Sequence, residues 1–237
     1  MRSMLFLLGV TLFAPLQASD IDQVARDALA KLAPTATVES VREAPVEGFL
    51  ELVANGEVLY LSRDGKHLLQ GNLMQVDGAR NLTENSRERL RKQRIEGLAA
   101  ESKVSYDAKQ TSHRITVFTA LDCGYCRNFH QGIAGVLERG ISVDYVLIPL
   151  AGEGTPVDAT SQSVFCAADR RSALDIAMRG EEVPMAMCPS GYNAGKALAR
   201  ALGINRTPTL IASGGQQLRF GSPDQLRAEL DALVAAR

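Results

Sequence analysis

The sequence predicts a two-part protein of mixed α and β structure: a small α+β unit in front, an α/β unit behind, and a polar helix joining them. Three observations carry this. Short apolar runs punctuated by Asn55-Gly56 and Asp64-Gly65 follow the first amphipathic segment. A charge-dense stretch over 83–103 reads as helix but lacks an apolar face. From Arg114 onward the chain alternates strand, helix, strand, helices, hairpin and helix.

The chain has 237 residues, enough for one large domain or two smaller ones. With 46% hydrophobic residues it can bury a core, and a net charge of −1 marks it as no polyanion binder. Trp is absent and aromatics are scarce, which argues against stacking platforms for nucleic acid. Arg2 and the apolar run Leu5–Phe13 read as a secretory leader, too short to span a bilayer. Ala14-Pro15-Leu16-Gln17-Ala18 then supplies a helix break and a small residue, so 1–18 is expected to be cleaved.

Residues 19–80 form the first unit. Ile21, Val24, Ala25, Ala28, Leu29 and Leu32 recur at helical spacing, and Pro34 ends that helix. Strands are predicted over 38–42, 49–54, 57–62 and 68–76, with Asn55-Gly56 as a hairpin turn because both positions tolerate positive φ. A unit of about 60 residues buries little surface by itself and tends to need a partner, which a strand edge can supply.

Residues 81–104 form the linker helix. Leu90, Ile95 and Leu98 are its main apolar residues, and a helix this polar is expected to bridge domains through solvent. Its basic run, Arg87 to Arg94, is interleaved with Glu84, Glu88 and Glu96, so it reads as a solvated face.

Residues 105–237 form the second unit. Strand 114–120, helix 126–139 ending at Gly140, and strand 142–149 make a β-α-β core. Residues 160–202 are mostly helical, 209–213 and 217–220 form a hairpin around Gly214-Gly215, and Ser222-Pro223-Asp224-Gln225 caps the final helix.

Cys123-Gly124-Tyr125-Cys126 lies where a strand gives way to a helix. Cys123 would sit at the helix N-terminus, where unpaired N–H groups and the macrodipole favour a thiolate. Cys126 lies one turn in, placed to close or resolve a disulfide, and Gly124 keeps the loop open to a substrate backbone. A zinc site would need a second ligand pair of the same kind, and Cys166 and Cys188 are too far apart to supply it. A c-type haem site would need His where Arg127 stands. A purely structural disulfide across two residues stabilises little compared with one closing a long loop. Thr207-Pro208 before an apolar strand is either a simple strand start or a cis proline opposing the dithiol.

Residues 105–237 resemble a thioredoxin-fold domain, carried by Thr116-Val117-Phe118-Thr119, Cys123-Gly124-Tyr125-Cys126 and Thr207-Pro208. The whole chain is similar to the DsbC/DsbG family of periplasmic disulfide isomerases, with the Gly124-Tyr125 dipeptide on the DsbC side. The resemblance implies a signal peptide, an N-terminal dimerisation domain, a linker helix and a thioredoxin-like catalytic domain with a helical insertion. It implies Cys123 and Cys126 as the catalytic pair, Pro208 in cis, Thr207 touching Cys123, and backbone beside Pro208 holding a substrate strand. Tyr125 joins Gly124, Thr207 and Pro208 in supporting the site. It also implies a structural disulfide between Cys166 and Cys188, whose alternative is a pair of free buried thiols.

Two departures stand out. Thioredoxin has a buried acid six residues before the first Cys, where this chain has Val117, as in the DsbC branch. Asp three residues before that Cys is common in the branch; here Ala120 stands there and Asp122 adjoins Cys123 instead, opposing thiolate formation. His130, four residues after Cys126, either tunes the dithiol or lies at the surface. His67 and His113 read as structural.

The function expected is disulfide isomerase and reductase, acting in the periplasm on misfolded exported proteins with wrong disulfides. The redox-active disulfide is the only cofactor called for, and no metal is. The family implies a homodimer kept reduced by a membrane thiol reductase of the DsbD type. Two alternatives are a thiol oxidase that donates its disulfide and a dimeric chaperone or binding module in which redox chemistry is secondary.

Overall fold

A computed structural model describes residues 18–236 of the chain. The expected leader, 1–18, therefore lies outside the described residues apart from Ala18. Among the described residues no helix is long and apolar enough to cross a membrane. The chain divides into two compact units between Gly71 and Asn72.

In the first unit, α1 (Ala18–Leu32) buries Ala25, Ala28 and Leu29 of the predicted stripe and half-buries Ile21 and Val24, whereas Leu32 at its end is exposed. The strands β1 (Val38–Glu43), β2 (Phe49–Ala54), β3 (Glu57–Ser62) and β4 (Leu68–Leu69) form an antiparallel sheet in that order. Asn55 and Gly56 turn β2 into β3 with φ of 48° and 82°, which fixes the register Ala54↔Glu57. Leu52, Ala54, Leu59 and Leu61 then point to one side and pack with α1.

The run 68–76, predicted as one strand, is two. It breaks at Gly71, and β5 (Met74–Gln75) pairs instead with β6 (Arg80–Asn81) in the second unit. α2 (Leu82–Glu96) follows, its N-terminus capped by the Asn81 side chain accepting from Glu84 N–H at 3.0 Å. The expectation that this helix crosses solvent is corrected. Ile95 and Leu98 pack on Phe118 and Val146, and Arg91 Nε donates to the Gly215 carbonyl at 2.6 Å. Arg94 donates likewise to the Ala201 carbonyl. Arg91 and Arg94 thus dock α2 by donating to backbone carbonyls, so its docking left little apolar signature in the sequence.

After a 3₁₀ turn (Ala100–Ser102), β7 (Val104–Tyr106), β8 (His113–Thr119), β9 (Ile141–Leu147), β10 (Thr209–Ala212) and β11 (Gln217–Leu218) make one five-stranded sheet. Its order is β11-β10-β8-β9-β7, with β8 parallel to β9 and β10 antiparallel to β8. β7 is an edge strand the sequence reading left out. Side chains alternate: Val117, Tyr145 and Leu210 face α3 (Gly124–Gln131), α4 (Ile133–Glu138) and α8 (Pro223–Ala235) through Phe129, Val136 and Leu226. Phe118, Val146 and Ile211 face the opposite way, with Ala199, Ile95 and Leu98. The helix expected over 126–139 is divided at Gly132 into α3 and α4. The insertion is α5 (Pro156–Cys166), α6 (Arg170–Met178) and α7 (Tyr192–Ala201).

Candidate active site

β8 ends at Thr119 and α3 starts at Gly124, so the four residues between form the turn that presents the dithiol. Cys123 is the N-cap of α3: its backbone is extended, and its Sγ accepts the Cys126 N–H at 3.2 Å. Arg127, where a haem motif would have placed His, donates through Nε to the Leu121 carbonyl at 2.9 Å and braces this turn. Cys123 and Cys126 are both reduced and buried, Cys126 fully, and Ala120 packs against them. Tyr125 between them is 79% exposed, and a Cβ on Gly124 would meet nothing within 4 Å, so the turn has an open outer side.

From the other side comes Thr207-Pro208, whose peptide bond is cis. The Cys123 Sγ donates to the Thr207 carbonyl at 3.4 Å, and the Thr207 side chain also acts on this sulfur. The Thr207 and Thr119 hydroxyls are buried, and both pull on the Cys126 thiol. Thr119 was missed by sequence reasoning; its signal was its place at the last strand position before the turn.

The two thiols are driven apart. Burial by itself would raise Cys123, but interactions with the Cys126 and Thr207 side chains and the N–H groups of Cys126 and Tyr125 outweigh it and hold the thiol below its usual value. Asp122 is exposed and does not prevent this. Burial first, then the neighbouring Cys123, push Cys126 up to about 11, against a smaller downward pull from Thr119 and Thr207. The pair can therefore attack with one sulfur and hold the other in reserve as a thiol.

His130 is buried, and so not the surface histidine that was one of its two readings. Its Nδ1 lies 3.2 Å from the Tyr145 hydroxyl and its Nε2 lies 2.9 Å from Asp175 Oδ1. Tyr106 donates to the same Asp175 oxygen at 2.6 Å. Tyr145, Asp175 and Tyr106 come from β9, α6 and β7, and nothing local in the sequence tied them to the dithiol. His113 lies 2.7 Å from Asp231 on the flank of the sheet. Cys166 and Cys188 are joined by a disulfide with Cα atoms 5.7 Å apart, tying the end of α5 to the segment before α7. Gln162 Nε2 donates to the Cys188 carbonyl at 2.9 Å and to Ser190 Oγ at 3.0 Å beside it. Among the described residues no group of three His, Cys, Asp or Glu side chains gathers as metal ligands would.

A family model described as the disulfide bond isomerase protein N-terminal domain matches residues 15–84, and a thioredoxin-like domain model matches 101–233. The thiol:disulfide interchange protein DsbC of Dickeya dadantii is 34% identical over 83% of this chain and 82% of its own length. That of Salmonella typhimurium is 33% identical over 97% of this chain and 95% of its own. Among solved structures, a linker-deletion variant of Proteus mirabilis ScsC superposes with a TM-score of 0.52 at 18% identity, covering 65% of this chain and 87% of that one, a likeness of fold.

Proposed function

The chain belongs to the DsbC family of thiol:disulfide interchange proteins, and from that membership we propose that Cys123 and Cys126 are its reactive pair, working as a disulfide isomerase and reductase. The observation that carries the reading is the split between the two sulfurs: Cys123 held toward thiolate at the start of α3, Cys126 held as a thiol one turn inside. The Cys123 thiolate attacks a wrong disulfide, forming a bond to one substrate sulfur while the other leaves as thiolate. A second substrate thiolate then displaces Cys123, so isomerisation moves no net electrons. Alternatively Cys126 loses its proton and displaces the substrate. The Cys123–Cys126 disulfide then forms, and two electrons pass to the substrate.

The open side over Gly124 and Tyr125, with the cis Thr207-Pro208 bond opposite the dithiol, suits an unfolded substrate strand better than a small molecule. The substrates are exported proteins with wrong disulfides, and the protein works as a homodimer in the periplasm. After a reductive turn a membrane thiol reductase of the DsbD type restores the dithiol.

The test is the resting redox state of Cys123 and Cys126 in cells, read by acid quench and thiol alkylation. An isomerase must be held reduced. A pair found oxidised at steady state would move the assignment to a disulfide donor.

A further inference from the structure

The Thr207 carbonyl reaches Cys123 from a segment, 202–208, that belongs to neither helix nor strand. Where that carbonyl stands is therefore set by what anchors the two ends of the segment. In front of it, α7 closes on Gly203, whose φ is 63°. The Gly203 N–H donates to the Arg200 carbonyl at 3.0 Å and the Ile204 N–H to the Ala199 carbonyl at 2.9 Å. This turn satisfies two of the last helical carbonyls and does not use that of Ala201. Arg94 of α2 donates to it, a cation at the negative end of a helix. Leu202 and Ile204 pack with Ile95 and Leu98 of the same helix.

Behind the segment, β10 begins at Thr209, opposite Phe118 of β8, and the hairpin turns at Gly214-Gly215. Arg91, about one turn before Arg94 on α2, donates through Nε to the Gly215 carbonyl at 2.6 Å, while its Nη2 holds Glu84 at 2.5 Å. Glu88 accepts from Gln216 Nε2 at 2.9 Å beside it. The Arg91 side chain also borders a small cleft with Leu202, Ile204, Arg206 and Thr209. Across the turn itself, the Thr209 hydroxyl donates to the Arg206 carbonyl at 2.8 Å. One helix thus holds the chain at Ala201, six residues before Thr207, and at Gly215, eight after it.

We propose that Arg94, assisted by Arg91, is a positioning residue of the reactive site, holding segment 202–208 from α2 so that Thr207 stays against the Cys123 sulfur. This rests on the reading of Cys123 and Cys126 as the reactive pair. Arginine suits the task. A guanidinium stays charged and spreads its donors in one plane, so it fixes a carbonyl in direction as well as distance. Arg94 acts on Cys123 only through the backbone it anchors. The Thr207 side chain pulls both thiols downward, so a segment that drifts takes this pull away and returns Cys123 toward the ordinary thiol value. α2 is then a support of the reactive site as well as a connection to the first unit.

The test uses the full-length reduced protein and follows the pH dependence of Cys123 alkylation by iodoacetamide, with peptide mapping, alongside unfolding in urea. Arg94→Met keeps the apolar stem and removes the donors. It should raise the Cys123 midpoint by about 0.3–1 pH unit. Arg94→Lys, which keeps a cation at the end of α7, should raise it by about half as much or less. The decisive arm is a cycle with Thr207→Val. With the Thr207 hydroxyl already gone, Arg94→Met should move the midpoint by no more than about 0.1 unit further. Lower stability with an unmoved or lowered midpoint would mean a structural role only and overturn the proposal. The same shift with and without Thr207→Val would overturn it too, because the effect would then bypass Thr207. Should Arg94→Met not fold, Arg91→Met, which frees the Gly215 end, carries the same expectations in both backgrounds. A parent midpoint at the ordinary thiol value would instead overturn the dithiol reading itself, and this role with it.

Discussion

The backbone nitrogen of Cys126 donates to the Sγ of Cys123 at 3.2 Å, so the inner cysteine stabilises the charge on the outer one and becomes harder to ionise itself. One turn of helix thus creates both the nucleophile and the reserve thiol.

Alkylation by iodoacetamide should follow from this. Cys123 should label with a midpoint below the roughly 8.5 of a free thiol, and its rate should fall as pH drops through that midpoint. Cys126 should label only toward pH 11. The sign is that of a depressed outer and a raised inner pKa. Peptide mapping after labelling at pH 7 should find the adduct on Cys123, and equal labelling of both would contradict the split.

Cys166–Cys188 should stay closed in mild reductant that keeps Cys123 and Cys126 reduced. It ties off a 22-residue separation, so replacing both with Ala should lower stability in urea by about 3 kcal/mol. Exchange activity should be spared. Mapping that found Cys166 joined to Cys123 would overturn the assignment.

A Cβ at Gly215 would stand 1.9 Å from the Glu88 carbonyl, at a φ of 91° that disfavours any side chain. Gly215→Ala should therefore lift α2 from the hairpin and cost about 2–4 kcal/mol. Unfolding in urea reads this, and a change below about 0.5 kcal/mol would mean α2 is not docked. A catalytic fragment should accordingly begin near Asn72. One beginning near Lys103 would bare the surface that Ile95 and Leu98 cover.

Burial raises Asp158, but the Gly154 N–H, the Tyr192 hydroxyl and the Lys196 ammonium outweigh it and hold the carboxyl below its usual range. Its folded pKa lies below the unfolded value of about 3.9. Its contribution is therefore present above pH 4 and lost as pH falls through the folded value. Asp158→Asn should flatten the acid limb of stability and cost about 2 kcal/mol at pH 7, since Glu153 remains near the buried Lys196.

What the sequence made legible was local. Asn55-Gly56 set a hairpin and its register, Ser222 capped α8 by accepting from Gln225 N–H, and Cys123 opened α3. What it hid depended on distant partners. The run 68–76 looked continuous because apolar residues flank Gly71, yet β5 finds its partner in β6. α2 looked solvated because Arg91 and Arg94 reach carbonyls more than 100 residues away in sequence, which no periodicity reveals. His130 looked ambiguous because its burial is decided by Tyr145 and Asp175, on elements 15 and 45 residues further on.

The assignment of roles is tested most directly by trapping. Reduced Cys126→Ser and Cys123→Ser proteins are each incubated with a scrambled-disulfide protein, quenched with acid and mapped by mass spectrometry without reductant. The account predicts a covalent adduct on Cys123 in the Cys126→Ser protein, and neither adduct nor isomerisation in the Cys123→Ser protein. An adduct on Cys126 in the Cys123→Ser protein, with none in the other, would contradict it.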